Sequence, residues 1–182
     1  MGIAAILEFF KRLFFSRHND ACITSVLLVC KANFCRSPMA EGMLRQQLLE
    51  RGLSKHTRVD SSGTHVHRGG QRPDARARKM LLPSGIDIAR LRSRSIQLAD
   101  FVAFDYILVM DNGNYESLLA VCPEQYQHKI ALIMSFAPQV SVSEVPDPYY
   151  SNQAGFQQVY TFLEQAIDGL VGSIEKNHDL SD

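Results

Sequence analysis

Short apolar runs alternate along this chain with longer stretches in which apolar residues recur every three or four positions. The short runs predict β-strands at residues 26–29, 58–61, 106–110 and 129–132. The longer stretches predict helices at residues 39–51, 73–82, 115–122 and 155–175. This alternation is typical of an α/β domain, in which right-handed crossovers join parallel strands and helices cover both faces of the sheet. Ligands bind such domains beyond the carboxyl ends of the strands.

The first 22 residues have a different pattern, with one apolar face formed by Ile6, Phe9, Phe10, Leu13 and Phe14. The run is too short and too charged to span a bilayer, and its charges come too late for a secretory signal. We expect an amphipathic arm over residues 1–22 and one compact domain over residues 23–182. Self-association, packing on the domain and contact with a membrane surface stay open as roles for the arm.

Charge and cysteine content narrow the function classes. The net charge is zero, but residues 1–100 hold 17 Lys and Arg against 8 Asp and Glu, and the remainder holds 2 against 11. A basic half of this kind favours an anionic ligand. Four cysteines are too few for a disulfide framework, which predicts a reducing, cytoplasmic location: Cys22, Cys30, Cys35 and Cys122.

The most informative segment joins the first predicted strand to the first helix. Five residues separate Cys30 from Arg36, and Ser37 and Pro38 then begin the helix. The backbone N–H groups of such a loop can surround a tetrahedral oxyanion, and a guanidinium can bind two of its oxygens. Positive charge and the helix start favour the thiolate, which is the form that attacks phosphorus.

Other residues complete this chemistry. Ser37 can donate its hydroxyl to the sulfur, and Asn33 suits a structural role because asparagine tolerates left-handed backbone. The loop contains no acid that could protonate a leaving oxygen. The candidate is Asp147, which is flanked by two prolines and followed by Tyr149 and Tyr150 as an apolar wall.

Four motifs occur in a fixed order. They are Cys-Lys-Ala-Asn-Phe-Cys-Arg-Ser-Pro-Met-Ala-Glu at 30–41, Asp-Ser-Ser-Gly-Thr at 60–64, Val-Met-Asp at 109–111 and Asp-Pro-Tyr-Tyr at 147–150. With them the chain resembles the low-molecular-weight protein tyrosine phosphatases, and more closely the bacterial members, over about residues 24–172. The resemblance implies a flavodoxin-like, three-layer α/β fold with a central four-stranded parallel sheet. It also implies hydrolysis of phosphotyrosine through a phosphocysteine, without a metal or cofactor.

By position, the resemblance makes Cys30 the nucleophile, Arg36 the phosphate clamp and Asp147 the general acid. It gives Ser61 and Asp111 supporting roles. It assigns substrate contacts to Lys31, Ala32, Asn33, Phe34, Cys35, Ser37, His67, Tyr149 and Tyr150. The implied partner is a tyrosine-phosphorylated protein, such as a bacterial tyrosine autokinase, and not a nucleic acid.

Several positions depart from the family pattern. Ala32 replaces a usual glycine, and if that position needs a positive φ the alanine costs about 1 kcal/mol. His67 stands where an aromatic wall residue is usual, and Leu91 stands where a histidine is usual. If the bulky Phe34 faces the pocket, it favours a phenyl ring over a guanidinium; the alternative is that it turns into the core. Cys35 suits either a redox partner of Cys30 or a buried thiol that supports the loop.

Arsenate reduction and phosphopeptide binding are alternative functions for this sequence, and an Arg-rich stretch raises the question of nucleic-acid binding. Arsenate reduction on the same fold needs two further downstream cysteines, and only Cys122 lies there. A phosphopeptide-binding module could keep the loop and lose turnover. The Arg-rich stretch between residues 68 and 94 lacks the interleaved aromatic residues of nucleic-acid sites, which favours a solvated face near an acidic substrate tail.

Overall fold

The computed structural model of this protein describes residues 24–179. Its four strands form one sheet in the order β2-β1-β3-β4, with every neighbouring pair parallel. The strands are β1 (Thr24–Cys30), β2 (Thr57–Gly63), β3 (Tyr106–Val109) and β4 (Ile130–Leu132). The four strands and the parallel sheet predicted from the apolar runs are confirmed. The predicted arm over residues 1–22 lies outside the described residues.

Five α-helices connect or follow these strands within the described residues. They are α1 (Arg36–Glu50), α2 (Ala75–Leu81), α3 (Leu98–Ala103), α4 (Asn112–Leu119) and α5 (Gln153–Asp179). The helix predicted at 39–51 begins three residues earlier, because Pro38 fits the first turn of a helix, where no N–H partner is needed. The helix predicted at 115–122 also begins earlier, because the Asp111 carboxylate caps it by accepting from the Asn114 N–H. Helix α3 was not predicted.

Alternate residues of β1 enter two separate cores. Val26, Leu28 and Cys30 belong to a cluster that includes residues of α1, α2 and α5. Leu27 and Val29 belong to a second cluster with residues of α3 and α4. Burial on both faces explains why this strand is continuously apolar, and it gives the three layers of a flavodoxin-like fold.

The carboxyl ends of the strands bring the predicted motifs to one edge. Cys30 pairs with Gly63 at the end of β2, and Val29 pairs with Val109 at the end of β3. The Val145 N–H donates to the Met110 carbonyl oxygen at 2.8 Å, which fixes the segment before Asp147 to the same edge. No helix within residues 24–179 is long and apolar enough to cross a bilayer.

Candidate active site

The loop between β1 and α1 has a single left-handed residue. Asn33 has a φ of 51°, and it is the sole non-glycine residue with a positive φ in the described part of the chain. Ala32 therefore does not have the positive φ that would make an alanine costly. The condition for strain at Ala32 is not met, because the turn is made one residue later, by a residue type that tolerates this conformation.

The Cys30 thiol is buried at the base of this loop, with 3% of the residue exposed. Its Sγ lies 3.1 Å from Ser37 Oγ. Ser37 Oγ also lies 3.2 Å from the carbonyl oxygen of Ser62 and accepts from Asn33 Nδ2 at 2.9 Å. Since the amide occupies one lone pair of the hydroxyl, the Ser37 hydrogen is free to point at the sulfur or at the Ser62 carbonyl.

Asn33 is held by hydrogen bonds on three sides. Its Nδ2 donates to Ser37 Oγ and to Ser61 Oγ, both at 2.9 Å. Its Oδ1 accepts from the Arg94 backbone N–H at 2.9 Å. These bonds offset the cost of the left-handed backbone, so the asparagine fixes the shape of the loop.

The network ends at a buried carboxylate that sequence reasoning missed. Glu41 is 2% exposed; its Oε2 accepts from Ser61 Oγ at 2.6 Å and its Oε1 from Arg45 Nε at 2.9 Å. Burial raises the pKa of Glu41 above its ordinary value, although Ser61 and Arg45 oppose that shift. The available signal was its spacing, four residues after Ser37 and four before Arg45, on the apolar face of α1.

The Arg36 guanidinium bridges three parts of the chain. Nη1 donates to Asp111 Oδ2 at 2.5 Å and to the Val145 carbonyl oxygen at 2.9 Å, and Nη2 donates to Asp147 Oδ2 at 3.1 Å. Burial opposes the charge, but Cys30, Asp111 and Asp147 outweigh it and raise the pKa of Arg36. The residue is 2% exposed and therefore stays a fixed cation beside the sulfur.

The two carboxylates bound to Arg36 differ in their surroundings. Asp111 Oδ1 accepts from the Asn114 N–H at 2.7 Å and caps α4, so its position is set by the helix. Asp147 is half-exposed, with 47% of its side chain accessible, and its Oδ1 accepts from the Tyr149 N–H at 3.2 Å. Of the two, Asp147 is the carboxylate that a molecule entering from solvent can contact.

Three aromatic side chains lie close to one another near the turn that carries Asp147. The rings of Phe34 and Tyr149 lie 6.5 Å apart, and those of Tyr149 and Tyr150 meet edge to face at 4.9 Å. Arg76 fixes this segment, because its guanidinium donates to the carbonyl oxygens of Tyr149 and Ser151. Tyr149 thus lies next to both other rings, and the role of these residues as an apolar wall for the substrate stays a prediction.

A cavity of about 590 Å³ lies beside the Arg36–Asp147 pair. Lys31, Asp111 and His65 are among its lining residues, and His67 is not. His67 is exposed, so its predicted place opposite the tyrosines stays a prediction. Sequence reasoning missed His65, whose Nδ1 lies 2.9 Å from Thr64 Oγ1.

Cys35 is a free thiol at the last position of the loop, with 5% of the residue exposed. Burial first, and then the charge of Asp74, raise its pKa far above the ordinary value, so the thiol is protonated at neutral pH. Burial opposes the charge of Asp74, but the hydrogen bonds and the charge of Arg76 outweigh it and lower the pKa of Asp74. Formation of a disulfide between Cys35 and Cys30 stays a prediction.

Two arginines of the Arg-rich stretch pair with carboxylates. Arg76 is exposed, as expected for a solvated face, whereas Arg94 is partly buried. Arg94 pairs with Asp60 and Asp100, both at 2.8 Å. Burial opposes its charge, but these carboxylates raise the pKa of Arg94. Arg76 pairs with Asp74 at 2.7 Å. Within residues 24–179 no cluster of three or more His, Cys, Asp or Glu side chains could hold a metal ion.

Comparison with known proteins gives consistent matches. The family model for low molecular weight phosphotyrosine protein phosphatase matches residues 25–180. A putative low molecular weight protein-tyrosine-phosphatase of Synechocystis is 40% identical over 152 residues, which cover 83% of this chain and 96% of that protein.

Two solved structures are similar in fold as well as in sequence. A crystal structure of a protein tyrosine phosphatase from Entamoeba histolytica, with Hepes in its active site, has a TM-score of 0.81 and 39% identity; the match covers 85% of this chain and 98% of that chain. The crystal structure of YfkJ from Bacillus subtilis has a TM-score of 0.82 and 30% identity, over 87% and 99% of the respective chains.

Proposed function

This chain belongs to the low molecular weight phosphotyrosine protein phosphatases, and we propose that Cys30, Arg36 and Asp147 carry out its reaction. The enzyme is a hydrolase that acts on phosphotyrosine. The observation that supports this assignment best is the position of Arg36. Its guanidinium donates to Asp147, which lies 111 residues away in the sequence, and Arg36 ends the loop that begins at Cys30.

In the first step the Cys30 thiolate attacks phosphorus. A sulfur–phosphorus bond forms while the bond from phosphorus to the tyrosine oxygen breaks, and Asp147 donates its proton to the departing phenolate. The half-exposed Asp147 suits this role because it faces solvent, from which the substrate enters. The products of the step are a free tyrosine side chain and phosphocysteine.

In the second step water attacks the phosphocysteine. The Asp147 carboxylate takes a proton from the water, an oxygen–phosphorus bond forms, and the sulfur–phosphorus bond breaks to release inorganic phosphate and the thiolate. Ser37 stabilises the departing thiolate because its hydroxyl lies 3.1 Å from the sulfur.

Arg36 and the loop N–H groups bind the phosphoryl oxygens in both steps. A guanidinium presents paired N–H groups that match two oxygens of a phosphoryl group. Asp111 and the Val145 carbonyl position Arg36 through its Nη1 atom. The bond from Nη2 to Asp147 is the one that phosphate can replace, because Asp147 is the half-exposed partner.

The aromatic wall supports phosphotyrosine as the substrate and a protein as its carrier. The rings of Phe34 and Tyr149 lie 6.5 Å apart, and aromatic rings of this kind can pack against a phenyl group. We propose a tyrosine-phosphorylated bacterial protein, such as a tyrosine autokinase, as the physiological partner, since the relatives include bacterial phosphatases. We also propose a cytoplasmic location, because Cys30, Cys35 and Cys122 are free thiols.

The rival functions have little support. A binding module that has lost turnover would need a distorted loop, and Ala32 has no positive φ that would strain this one. Arsenate reduction needs a mobile thiol relay, but Cys122 is 6% exposed, packs in the core with Leu27, and lies close to the Pro123 carbonyl.

Hydrolysis of p-nitrophenyl phosphate by cysteine variants tests this proposal. We expect Cys30→Ser to abolish release of p-nitrophenol, because serine is a far weaker nucleophile at neutral pH. Cys122→Ser is the matched control, since it changes another buried free thiol away from the site, and we expect it to keep most of the activity. Full activity in Cys30→Ser would refute the proposal.

A further inference from the structure

Four arginines near the catalytic loop form no ion pair with any described carboxylate. We name them the basic rim: Arg68, Arg72, Arg90 and Arg92. All four are exposed. Five other arginines of residues 24–179 pair with Asp or Glu, namely those at positions 36, 45, 51, 76 and 94. Arg58 and Arg78 form no ion pair either, but Arg58 packs on the Phe104 ring and Arg78 is partly buried. Arg92 donates to the carbonyl oxygens of Ala89 and Leu91, and so keeps its charge uncompensated.

The first rim segment is fastened at both ends to the catalytic loop. The His65 N–H donates to the Lys31 carbonyl oxygen at 2.7 Å, and the Asp74 N–H donates to the Phe34 carbonyl oxygen at 2.9 Å. Residues 65–74 therefore arch from one side of the loop to the other. Arg68 and Arg72 lie on this arch, whose first residue, His65, lines the cavity beside Arg36.

The second rim segment, which carries Arg90 and Arg92, is hydrogen-bonded to the first through Ser93. Ser93 is 5% exposed. The Gly70 N–H donates to the Ser93 carbonyl oxygen at 2.7 Å, the Ser93 N–H donates to the Gln71 carbonyl oxygen at 2.9 Å, and Ser93 Oγ donates to the Arg68 carbonyl oxygen at 3.2 Å. Arg92 directly precedes Ser93 in the sequence, and Arg90 lies two residues before Arg92. The four arginines thus stand on two adjacent, tethered segments.

The charge of this region is unbalanced. Residues 64–94 contain eight Lys and Arg and two acidic residues, Asp74 and Asp87. Asp74 is occupied by Arg76, and Asp87 accepts from the Ala89 N–H of its own turn. Lys31, exposed on the catalytic loop itself, adds another positive charge on the same side. Exposed charges act over about 8–10 Å at physiological salt, which reaches neighbours of a bound residue.

We propose that the basic rim binds anionic side chains that flank the target phosphotyrosine, either carboxylates or a second phosphotyrosine. The substrates are then protein segments in which acidic or phosphorylated residues cluster around the tyrosine. Arginine suits this role because its planar N–H groups fit carboxylate and phosphate oxygens alike. The inference rests on the proposed function, since the target phosphotyrosine must occupy the Cys30 loop.

Three phosphotyrosine peptides of equal length test the inference, with flanks of Asp, of Asn, or of Asn plus a second phosphotyrosine. Each is assayed for kcat/KM with the wild type, Arg68→Gln/Arg72→Gln and Arg90→Gln/Arg92→Gln. The control Lys55→Gln/Lys176→Gln removes the same charge at the opposite end of the sheet, where Asn177 contacts Tyr106 at the start of β3. Hydrolysis of p-nitrophenyl phosphate, which has no flanks, reports the catalytic centre separately.

We expect the wild type to favour at least one anionic peptide over the Asn peptide, and each rim variant to lose about three- to tenfold of kcat/KM on it. The Asn peptide should change less than twofold, and raised salt should erase the preference. A preference for the doubly phosphorylated peptide alone identifies phosphate as the ligand, and a preference for both identifies the shared anionic chemistry.

Equal kcat/KM for all three peptides would overturn the inference, and so would an equal loss in the Lys55→Gln/Lys176→Gln control. In either case retained p-nitrophenyl phosphate hydrolysis would leave the proposed function standing. If the wild type itself does not hydrolyse p-nitrophenyl phosphate, the proposed function is refuted instead.

Discussion

Arg36 and Asp147 are joined by a 3.1 Å hydrogen bond from Nη2 to Oδ2, although 111 residues separate them in the sequence. One end of this pair belongs to the loop that holds Cys30, and the other to a turn stiffened by two prolines. The bond is possible because Val145 is anchored to Met110 at the end of β3. The sheet therefore brings the expected phosphate clamp and the expected acid to the same place.

Asp147→Asn should slow the enzyme most on esters with poor leaving groups, since asparagine cannot donate the proton. We expect about a 10²- to 10⁴-fold loss of kcat/KM on phenyl phosphate and a smaller loss on p-nitrophenyl phosphate. The measurement is kcat/KM for a series of aryl phosphates whose phenol leaving groups have increasing pKa. Asp168→Asn, an exposed change on α5, is the control. Equal losses for all leaving groups would argue against Asp147 as the acid.

Asn33→Ala should destabilise the fold more than Asn33→Gly. Both variants lose the bonds to Ser37, Ser61 and the Arg94 N–H, but only alanine is strained at a φ of 51°. We expect about 2–4 kcal/mol for alanine and about 1 kcal/mol less for glycine, measured by urea unfolding. Equal free energies of unfolding in the two variants would show that the left-handed backbone carries no cost.

Glu41→Gln should remove one component of the pH dependence of stability. Burial raises the folded-state pKa of Glu41 above its unfolded value, so the folded state binds the proton more tightly. Its contribution to stability is therefore full below about pH 4.3 and is lost as the pH rises through the raised pKa. The free energy of unfolding of Glu41→Gln, relative to wild type, should increase from pH 4 towards pH 7.

Urea unfolding at several pH values measures this difference, and Glu50→Gln is the control, because Glu50 lies exposed on the same helix. A difference between Glu41→Gln and wild type that stays constant with pH would contradict the assignment of a raised pKa to Glu41.

Alkylation should distinguish the two thiols of the catalytic loop. Burial and the charge of Asp74 raise the pKa of Cys35, so its reactive thiolate is scarce at neutral pH. We expect iodoacetamide at pH 7 to label Cys30 well before Cys35, and inorganic phosphate to slow the labelling of Cys30. Peptide mass mapping reads out both sites. Faster labelling of Cys35 would contradict this account.

The sequence predicts what depends on short, local patterns. The four strands follow from apolar runs, and the loop with its flanking strand and helix follows from the spacing of Cys30, Arg36 and Ser37. The parallel sheet then follows from the alternation of elements. These features depend on neighbouring residues or on the order of the elements along the chain, and both can be read from a single sequence.

Other features depend on contacts between distant segments. Helix α3 has only six residues and is fixed by reciprocal hydrogen bonds between Gln97 and Asp100, so it has no long periodic pattern. The role of Glu41 appears only when Ser61 of β2 lies beside α1. His65, rather than His67, lines the cavity because the path of the chain after Gly63 decides which residue faces the site.

The identity of the nucleophile is tested most directly by trapping the intermediate. The enzyme is mixed with excess p-nitrophenyl phosphate, quenched in acid within the first turnovers, digested and mapped by mass spectrometry. We predict a phosphoryl group on the peptide that contains Cys30, on its sulfur, and none in Cys30→Ser. A phosphoryl group on another residue, or turnover with no covalent phosphoenzyme at any quench time, would contradict the account.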